Sequence, residues 1–157
     1  MFKVGMGFDV HPLIEGRDLV ICGVKIPYHK GLDGHSDADV ATHAIIDSII
    51  GALGLGDIGR FFPDNDPSYK NISSLILLEK VRNIISDKGY KINNIDVVIA
   101  AEEPKLIKYF DQMVNNISKT LDINERKINV KATTTEGMSF IGRCEGIASF
   151  AVSTLTR

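Results

Sequence analysis

Apolar residues occupy every second position at the start of the chain, from Phe2 through Val10. This period of two is typical of a β-strand, because successive side chains of a strand point to opposite faces. The intervening positions carry a lysine, two glycines, and then Asp9 and His11. We therefore expect Asp9 and His11 to share one face of the strand, where both side chains could bind one metal ion.

Helical periodicity and capping signals predict three helices, which cover about residues 39–53, 73–88 and 104–121. Asp37 or Asp39 suits the N-cap of the first helix. Gly89 directly follows the second helix, at a position where glycine commonly ends one. Pro104 suits the first position of the third helix, since the N–H that proline lacks would have no helical partner there.

Further apolar or β-rich segments are expected to be strands: residues 19–26, as a strand pair or a bent strand, and "IDVVIAA", "KINVKATTT" and "GIASFAVSTL". Residues 28–37, with their glycines and aspartates, are expected to form a loop. The length of 157 residues suits one domain. The mixture predicts a single α+β domain over residues 1–157, a sandwich of a mostly four-stranded mixed sheet with helices on one face.

The composition disfavours several classes of protein. The net charge is -2, and no block of lysine or arginine forms the basic face that nucleic-acid-binding proteins usually carry. No apolar run approaches transmembrane length, and polar residues interrupt the N-terminal segment too early for a signal peptide. Cys22 and Cys144 lack CxxC spacing, which favours free thiols in a reducing cytosol. We therefore predict a cytoplasmic protein that binds neither nucleic acid nor membranes.

His43 lies in the first predicted helix, among isoleucines at positions 46, 49 and 50. A single histidine in this setting is more often a hydrogen-bonded core residue than a metal ligand. With Asp9 and His11, however, it makes a set of one carboxylate and two imidazoles, which suits zinc and leaves a fourth position open, as in catalytic zinc sites. Asp47, one helical turn after His43, is expected to orient the imidazole of His43.

The segment "GHSDAD" places His35 and Ser36 directly before the first predicted helix. Backbone N–H groups at a helix N-terminus favour anions, and an imidazole and a hydroxyl add hydrogen-bond donors, so the segment suits a phosphate group. The alternative is ordinary helix capping by Ser36, Asp37 or Asp39, and for the two aspartates we prefer it.

Residues 131–146, "KATTTEGMSFIGRCEG", combine three threonines with Glu136 and Arg143. Hydroxyl groups, a carboxylate for a hard cation and a guanidinium group together suit a diphosphate with Mg²⁺. Consecutive threonines also occur simply because threonine favours strands. Neither the dinucleotide-binding fingerprint nor a P-loop is present, so a phosphate site here would be of another type.

Several segments resemble, in the same order, those of the 2-C-methyl-D-erythritol 2,4-cyclodiphosphate synthase family of the non-mevalonate isoprenoid pathway. They are "GFDVH", "GVKIPY", "GHSDADV", "ALGLGDIGRFFPDNDP", "EEPK", "VKATTTE" and "FIGRCEGIA". They span nearly the whole chain, and their agreement in order is highly specific. The chain departs from the family at Ser139, where glycine is more usual, and at Phe150, where some members carry Glu in a channel along a threefold axis.

The resemblance implies roles for these residues. Zinc, one ion per subunit, would be bound by Asp9, His11 and His43, and a second ion, Mg²⁺ or Mn²⁺, by Glu136. His35 and Thr134 would be the catalytic residues. The small-molecule substrate, a cytidine diphosphate derivative, would contact Asp9, Val10, His11, His35, Ser36, Asp57, Ile58, Gly59, Phe62, Pro63, Asp64, Asn65, Asp66, Ala101, Glu102, Glu103, Pro104, Lys105, Leu106, Ile107, Thr133, Thr134, Thr135, Glu136, Phe140 and Arg143.

The resemblance also implies a homotrimer with active sites at the subunit interfaces. In the implied reaction, the 2-phosphate of 4-diphosphocytidyl-2-C-methyl-D-erythritol 2-phosphate attacks the β-phosphorus of the same molecule. CMP leaves, and 2-C-methyl-D-erythritol 2,4-cyclodiphosphate remains, so the enzyme would be a phosphorus–oxygen lyase. Because nucleophile and electrophile belong to one molecule, the protein would contribute positioning and charge stabilisation.

Other interpretations of the same residues stay open. A metal-dependent phosphohydrolase would use the same ions to activate water and would release linear products. A non-catalytic protein would use zinc as a structural element of a trimer, although structural zinc sites usually close with four protein ligands. Nucleic-acid binding is the weakest alternative, given the net charge of -2.

Overall fold

The computed structural model describes residues 1–157. The strands are β1 (Phe2–Glu15), β2 (Leu19–Ile21), β3 (Val24–Ile26), β4 (Lys30–Leu32), β5 (Lys91–Ala100), β6 (Ile128–Thr133) and β7 (Gly146–Thr156). The α-helices are α1 (Val40–Ala52), α2 (Ile58–Phe61), α3 (Ser74–Asp87), α4 (Phe110–Leu121) and α5 (Ser139–Gly142). Single 3₁₀ turns lie at Pro67–Tyr69, Ile107–Tyr109 and Glu125–Lys127.

The main sheet has five strands in the order β4-β1-β7-β5-β6, and β2 pairs with β3 in a separate hairpin. The β5–β6 pair is parallel and the other pairs are antiparallel, so the predicted mixed α+β sheet is confirmed. The predicted strand number of four is wrong. The fifth strand, β4, arises within the predicted loop of residues 28–37, because Leu32 pairs with Leu13 at the far end of β1.

The glycines of β1 lie against α1. A Cβ atom at Gly5 would stand 2.0 Å from the carbonyl oxygen of Ser48, and one at Gly7 would stand 1.9 Å from that of Ala44. Any larger residue would push the helix away from the sheet, so the two glycines allow close strand–helix packing. The isoleucines of α1, at positions 45, 46, 49 and 50, are fully buried in the core beneath it.

The apolar residues of β1 point away from the core. Phe2, Val4 and Met6 are 68%, 66% and 70% exposed, and Phe8 packs against Phe150 of β7 with ring centroids 4.7 Å apart. We call this surface the outer face; it consists of Phe2, Val4, Met6, Phe8, Val10, Phe150 and Val152. The predicted alternation of β1 is therefore present, but its glycine side faces the core and its apolar side faces outward.

The first two predicted helices agree with α1 and α3, and the start of the third is wrong. Helix α4 begins at Phe110, not at Pro104. The N–H of Ala101 donates to the carbonyl of Thr133 at 2.9 Å, so the pairing of β5 with β6 continues one residue beyond β5. The residues between this pairing and Phe110 form the turn that leads into the helix. Cys22 and Cys144 are free thiols, and no helix is long and apolar enough to cross a membrane.

Candidate active site

Asp9 and His11 of β1 meet His43 of α1 at one end of the close strand–helix contact. The Oδ2 atom of Asp9 lies 2.8 Å from Nε2 of His11 and 3.0 Å from Nδ1 of His43. The two imidazole nitrogens are 3.3 Å apart. The three side chains are between 12% and 25% exposed, so they are largely shielded from water but reachable from one side.

These three atoms fit a metal ion. Zinc binds His nitrogen and carboxylate oxygen at about 2.0–2.2 Å, so neighbouring ligand atoms of a tetrahedral site lie roughly 3.3–3.5 Å apart. The observed separations of 2.8 and 3.0 Å need small outward shifts to reach this spacing, and the separation of 3.3 Å already has it. Asp9, His11 and His43 form a group with metal-ligand geometry, and three protein ligands leave a fourth position open.

The charges of the group are coupled. Burial works to raise the pKa of Asp9, but hydrogen bonds to His11 and His43 and their positive charge outweigh it and lower the pKa to about 2. Burial works to lower the pKa of His11, but the hydrogen bond to Asp9 and its negative charge raise it above the ordinary histidine value. Without an ion, Asp9 is therefore a carboxylate that favours a proton on His11. A bound metal ion would take the place of that proton.

The second nitrogen of His11 is fixed by the loop that follows β4. Its Nδ1 donates to the carbonyl of Asp33 at 2.8 Å, which leaves Nε2 for Asp9 or a metal. The guanidinium of Arg17 donates to the carbonyls of Gly34 and Ser36 at 2.9 and 2.8 Å and holds this loop in place. Sequence reasoning missed Arg17, since no motif distinguishes it from an ordinary surface arginine.

The second nitrogen of His43 faces two serines, and the prediction that Asp47 orients this ring is wrong. Nε2 lies 2.8 Å from the hydroxyl of Ser74 and 3.1 Å from that of Ser36. Asp47 instead accepts from the N–H of Ile58 at 2.7 Å, and so fixes the start of α2. Burial, together with nearby carboxylates, raises the pKa of Asp47.

A cavity of about 270 Å³ opens beside the three candidate ligands. Six further lining residues were predicted to contact the substrate: His35, Ser36, Ile58, Gly59, Phe62 and Asp64. The other lining residues, which were not predicted, are Gly34, Tyr69 and Leu77. Nε2 of His35 donates to the carbonyl of Asp66 at 2.9 Å. The carboxylates of Asp57 and Asp66 cap short helices instead of lining the cavity.

The expected role of Asp39 as a cap is confirmed, and Asp37 caps a different helix from the one expected. Asp39 is fully buried and accepts from the N–H of Thr42 in the first turn of α1, and its other oxygen accepts from Gly23. Burial raises the pKa of Asp39. The carboxylate of Asp37 accepts from the N–H of Ser74 at 2.9 Å, at the start of α3.

A second cavity of about 270 Å³ lies at the carboxyl ends of β5 and β6. It is lined by most of the segment predicted to hold cytidine and by the predicted threonines: Ala101, Glu102, Pro104, Lys105, Leu106, Ile107, Phe110, Ala132, Thr133 and Thr134. Glu102 accepts from the N–H of Thr135 at 3.2 Å, which ties the two segments together. Within one chain, this cavity does not share a lining residue with the one at Asp9, His11 and His43.

Glu136 and Arg143 do not line the cavity beside the three candidate ligands. Glu136 is exposed and has a left-handed backbone conformation with φ of 54°. Arg143 pairs with Glu145 at 2.7 Å. Phe140 packs near Gly146 at the start of β7. The predicted residues that line cavities therefore fall into two groups, one around His43 and one around Thr134, and Glu136, Phe140 and Arg143 line neither cavity.

The fold and the site define a class: an α+β protein in which one carboxylate and two imidazoles, able to hold a metal ion, lie beside a cavity with polar side chains, as expected of a metal-dependent enzyme. The model of the YgbB family matches residues 2–156, and the chain belongs to this family.

Curated relatives of the chain share one name. The 2-C-methyl-D-erythritol 2,4-cyclodiphosphate synthase of Agathobacter rectalis is 57% identical over 154 residues, which cover 98% of this chain and 87% of that protein. The protein of the same name from Desulforamulus reducens is 56% identical over 153 residues, with 98% of each covered. The predicted family is therefore confirmed, and so are the function and the lyase class that it implied.

Solved structures with the same fold include two that are clearly related in sequence. The bifunctional IspDF of Campylobacter jejuni superposes with a TM-score of 0.95 at 45% identity; the match covers 99% of this chain and 42% of that longer one. IspF of Plasmodium falciparum, solved as a CDP complex, gives a TM-score of 0.86 at 38% identity, with 98% of this chain and 95% of that chain covered.

Proposed function

We propose that residues 1–157 act as one cyclodiphosphate synthase domain that binds one zinc ion per subunit at Asp9, His11 and His43. The domain converts 4-diphosphocytidyl-2-C-methyl-D-erythritol 2-phosphate to 2-C-methyl-D-erythritol 2,4-cyclodiphosphate and CMP. The observation that carries this proposal is the meeting of three metal-ligand atoms within 2.8 to 3.3 Å, at a cavity that also contains His35 and Ser36. A bound zinc ion would supply positive charge that polarises a phosphate oxygen.

The side chains of the cavity position the substrate. Nε2 of His35 donates to the carbonyl of Asp66, so Nδ1 is the nitrogen left to face a phosphate, and it would donate to a phosphate oxygen from the imidazolium form of the ring. The hydroxyl of Ser36 lies 3.1 Å from His43 and adds a polar group next to the metal site. Removing a hydrogen-bond donor that stabilises developing charge costs about 3 kcal/mol of transition-state stabilisation, so His35 is a strong contributor in this proposal.

The nucleotide end of the substrate belongs to the second cavity in this proposal. Backbone groups of residues 101–107 would bind cytidine, and Thr134 would donate to the diphosphate. Glu136, with Mg²⁺ or Mn²⁺, would neutralise the diphosphate charge. The Plasmodium falciparum relative solved with CDP supports a cytidine diphosphate ligand. A cytoplasmic location, predicted from the two free cysteines, is part of the same proposal.

The chain would assemble as a homotrimer with active sites between subunits. Two observations support this proposal. The outer face is a large apolar surface of β1 and β7, and surfaces of this kind are usually covered by another protein. In addition, the cavity at His43 and the cavity at Thr134 are separate within one chain, so a neighbouring subunit would have to bring them together.

Phosphorus NMR of the diphosphocytidyl substrate tests the proposal directly. After incubation with protein loaded with zinc and Mg²⁺, the spectrum should show the cyclic diphosphate together with CMP. Linear phosphates would instead support a metal-dependent phosphohydrolase. An unchanged substrate, with zinc bound and a trimer in solution, would contradict the catalytic proposal and leave a structural role for the metal.

A further inference from the structure

A chain of hydrogen bonds leads away from the metal site through His43. Nε2 of His43 lies 2.8 Å from the hydroxyl of Ser74, the first residue of α3, which is fully buried. That hydroxyl donates to one oxygen of Asp37, and the other oxygen of Asp37 accepts from the backbone N–H of Ser74 at 2.9 Å. Asp37 lies in the loop before α1, so three separate parts of the chain meet here.

The direction of these bonds follows from the chemistry of their members. An ionised carboxylate can only accept hydrogen bonds, so the hydroxyl of Ser74 donates its hydrogen bond to Asp37. The Ser74 oxygen then presents its lone pairs to His43. Nε2 of His43 must then carry the proton. With the proton of Nε2 fixed in this way, Nδ1, which faces Asp9 and His11, is the nitrogen that can offer its lone pair to a metal ion.

Ser36 is the other neighbour of Nε2, at 3.1 Å, but it does not fix this direction. Its hydroxyl oxygen accepts from the N–H of Ala38 at 3.3 Å, and its proton is not bound by a carboxylate. The Ser36 hydroxyl can therefore donate to Nε2 or accept from it. Ser74, which is held at both its hydroxyl and its N–H by Asp37, has no such freedom.

We propose that Ser74 and Asp37 are positioning residues of the metal site. They hold the imidazole of His43 in the tautomer and orientation that bind the ion, and they do so without touching the ion or the substrate, since neither residue lines the cavity. The inference rests on the proposed metal site and extends it to two residues that the sequence did not assign to it. Such partners of a ligating histidine typically change metal affinity by about 10–100-fold.

The test begins with Ser74→Ala, measured by competition for zinc against a chromophoric chelator. We expect the zinc affinity to fall by about 10–100-fold, because Nε2 loses the acceptor that fixes its proton. Ser118→Ala is the matched control: Ser118 is also a nearly buried helical serine, and its hydroxyl donates to the carbonyl of Ile123 at 2.6 Å in another part of the fold. The control should retain the wild-type zinc affinity. Thermal unfolding of both variants verifies that they are folded.

Asp37→Asn gives a second test that preserves the shape of the site. The new amide oxygen can still accept from the Ser74 N–H, and its NH₂ group then faces the Ser74 hydroxyl. That hydroxyl must now accept from the amide and donate to Nε2 of His43, which moves the imidazole proton to Nδ1. In ¹⁵N-labelled protein without metal, long-range proton–nitrogen NMR spectra should show a proton on Nε2 of His43 in the wild type and its loss from Nε2 in the variant. The zinc affinity should fall with this change.

The outcomes separate this inference from the proposed function. If the wild type binds zinc but forms no cyclic product, the catalytic proposal fails, and the zinc affinities still measure the role of Ser74. If Ser74→Ala and Asp37→Asn both bind zinc within about twofold of the wild type, the positioning role is overturned whatever the activity. A proton that remains on Nε2 of His43 in Asp37→Asn would overturn it as well.

Discussion

Gly7 of β1 lies against the backbone of Ala44 in α1, so closely that a Cβ atom at Gly7 would stand 1.9 Å from the Ala44 carbonyl oxygen. The geometry of the candidate metal site depends on this contact. Asp9 follows Gly7 by two residues on the strand, and His43 directly precedes Ala44 on the helix. The separation of strand and helix therefore sets the 3.0 Å distance between the Asp9 carboxylate and the His43 imidazole.

Gly7→Ala should destabilise the protein by about 3 kcal/mol and weaken zinc binding, because the clash is with backbone that can move only if the whole helix moves. Gly51→Ala is the matched control in the same helix contact region. The nearest atom to a Cβ at Gly51 is the Met6 carbonyl oxygen at 3.7 Å, an ordinary contact. This control should be stabilised by about 0.5–1 kcal/mol, as expected when alanine replaces glycine in a helix. Urea unfolding of both variants, followed by zinc competition, measures the two effects.

His43→Ala should abolish zinc binding and turnover while leaving the fold intact. The side chain lines the cavity and is not one of the buried core residues, so its loss removes a ligand and leaves the hydrophobic core in place. Zinc content after dialysis, the ³¹P NMR assay and circular dichroism together check this expectation. Normal turnover in a zinc-free variant would exclude the zinc role of His43.

The pKa of His11 should fall when Asp9 is replaced by Asn. In the metal-free wild type, the bond to Asp9 and its charge raise this pKa above about 6.5 against the opposing effect of burial. Asp9→Asn removes the carboxylate and leaves burial largely unopposed, so the pKa should drop below the ordinary value. Imidazole carbon–proton NMR shifts, recorded against pH without metal, measure both values. An unchanged pKa would show that Asp9 does not control the charge of His11.

The same shift has a consequence for stability, and its sign is fixed. A group whose pKa is higher in the folded than in the unfolded state stabilises the fold below its unfolded pKa. That contribution from His11 is lost as the pH rises through the folded-state pKa. Zinc binding requires neutral His11 and so changes in the opposite direction, becoming stronger as the pH rises through this range.

The sequence predicted the group of Asp9, His11 and His43, which could bind a metal, because its pattern is local. Asp9 and His11 share a strand face by the period of two, and His43 stands out as a histidine on an apolar helix. The pattern did not reveal which face of β1 is buried, because a buried face is usually recognised by large apolar side chains. In β1 the buried face carries glycines, which pack directly against the backbone of α1. Ser74 could not be predicted either, since serine at a helix start is ordinary capping chemistry and its partner His43 is 31 positions away.

The departure at Ser139 also has a structural explanation. Ser139 has a φ of 64°, in the left-handed region that favours glycine, which is the residue more usual here in the family that the sequence resembles. Its hydroxyl accepts from the N–H of Ile141 at 3.3 Å and so offsets part of the backbone strain. The turn before Phe140 is therefore formed with serine in the place of glycine.

The outer face gives the clearest test of assembly, because a charge there matters only if another subunit covers it. Met6 is 70% exposed in one chain, so Met6→Asp should leave the fold of a single subunit nearly unchanged. In a trimer built on this face, the same substitution would bury three carboxylates without partners and should dissociate the subunits. Ile76→Asp is the matched control: Ile76 is 47% exposed in the first turn of α3, where an aspartate is favourable.

Sedimentation equilibrium distinguishes the possibilities. We expect trimers for the wild type and for Ile76→Asp, and monomers for Met6→Asp. The monomers should still bind zinc, since Asp9, His11 and His43 come from one chain, but they should lose turnover, since the cavity at Thr134 would no longer be joined to that at His43. A monomeric variant with full activity would place the complete active site within one subunit. A trimeric Met6→Asp variant would mean that another surface carries the assembly.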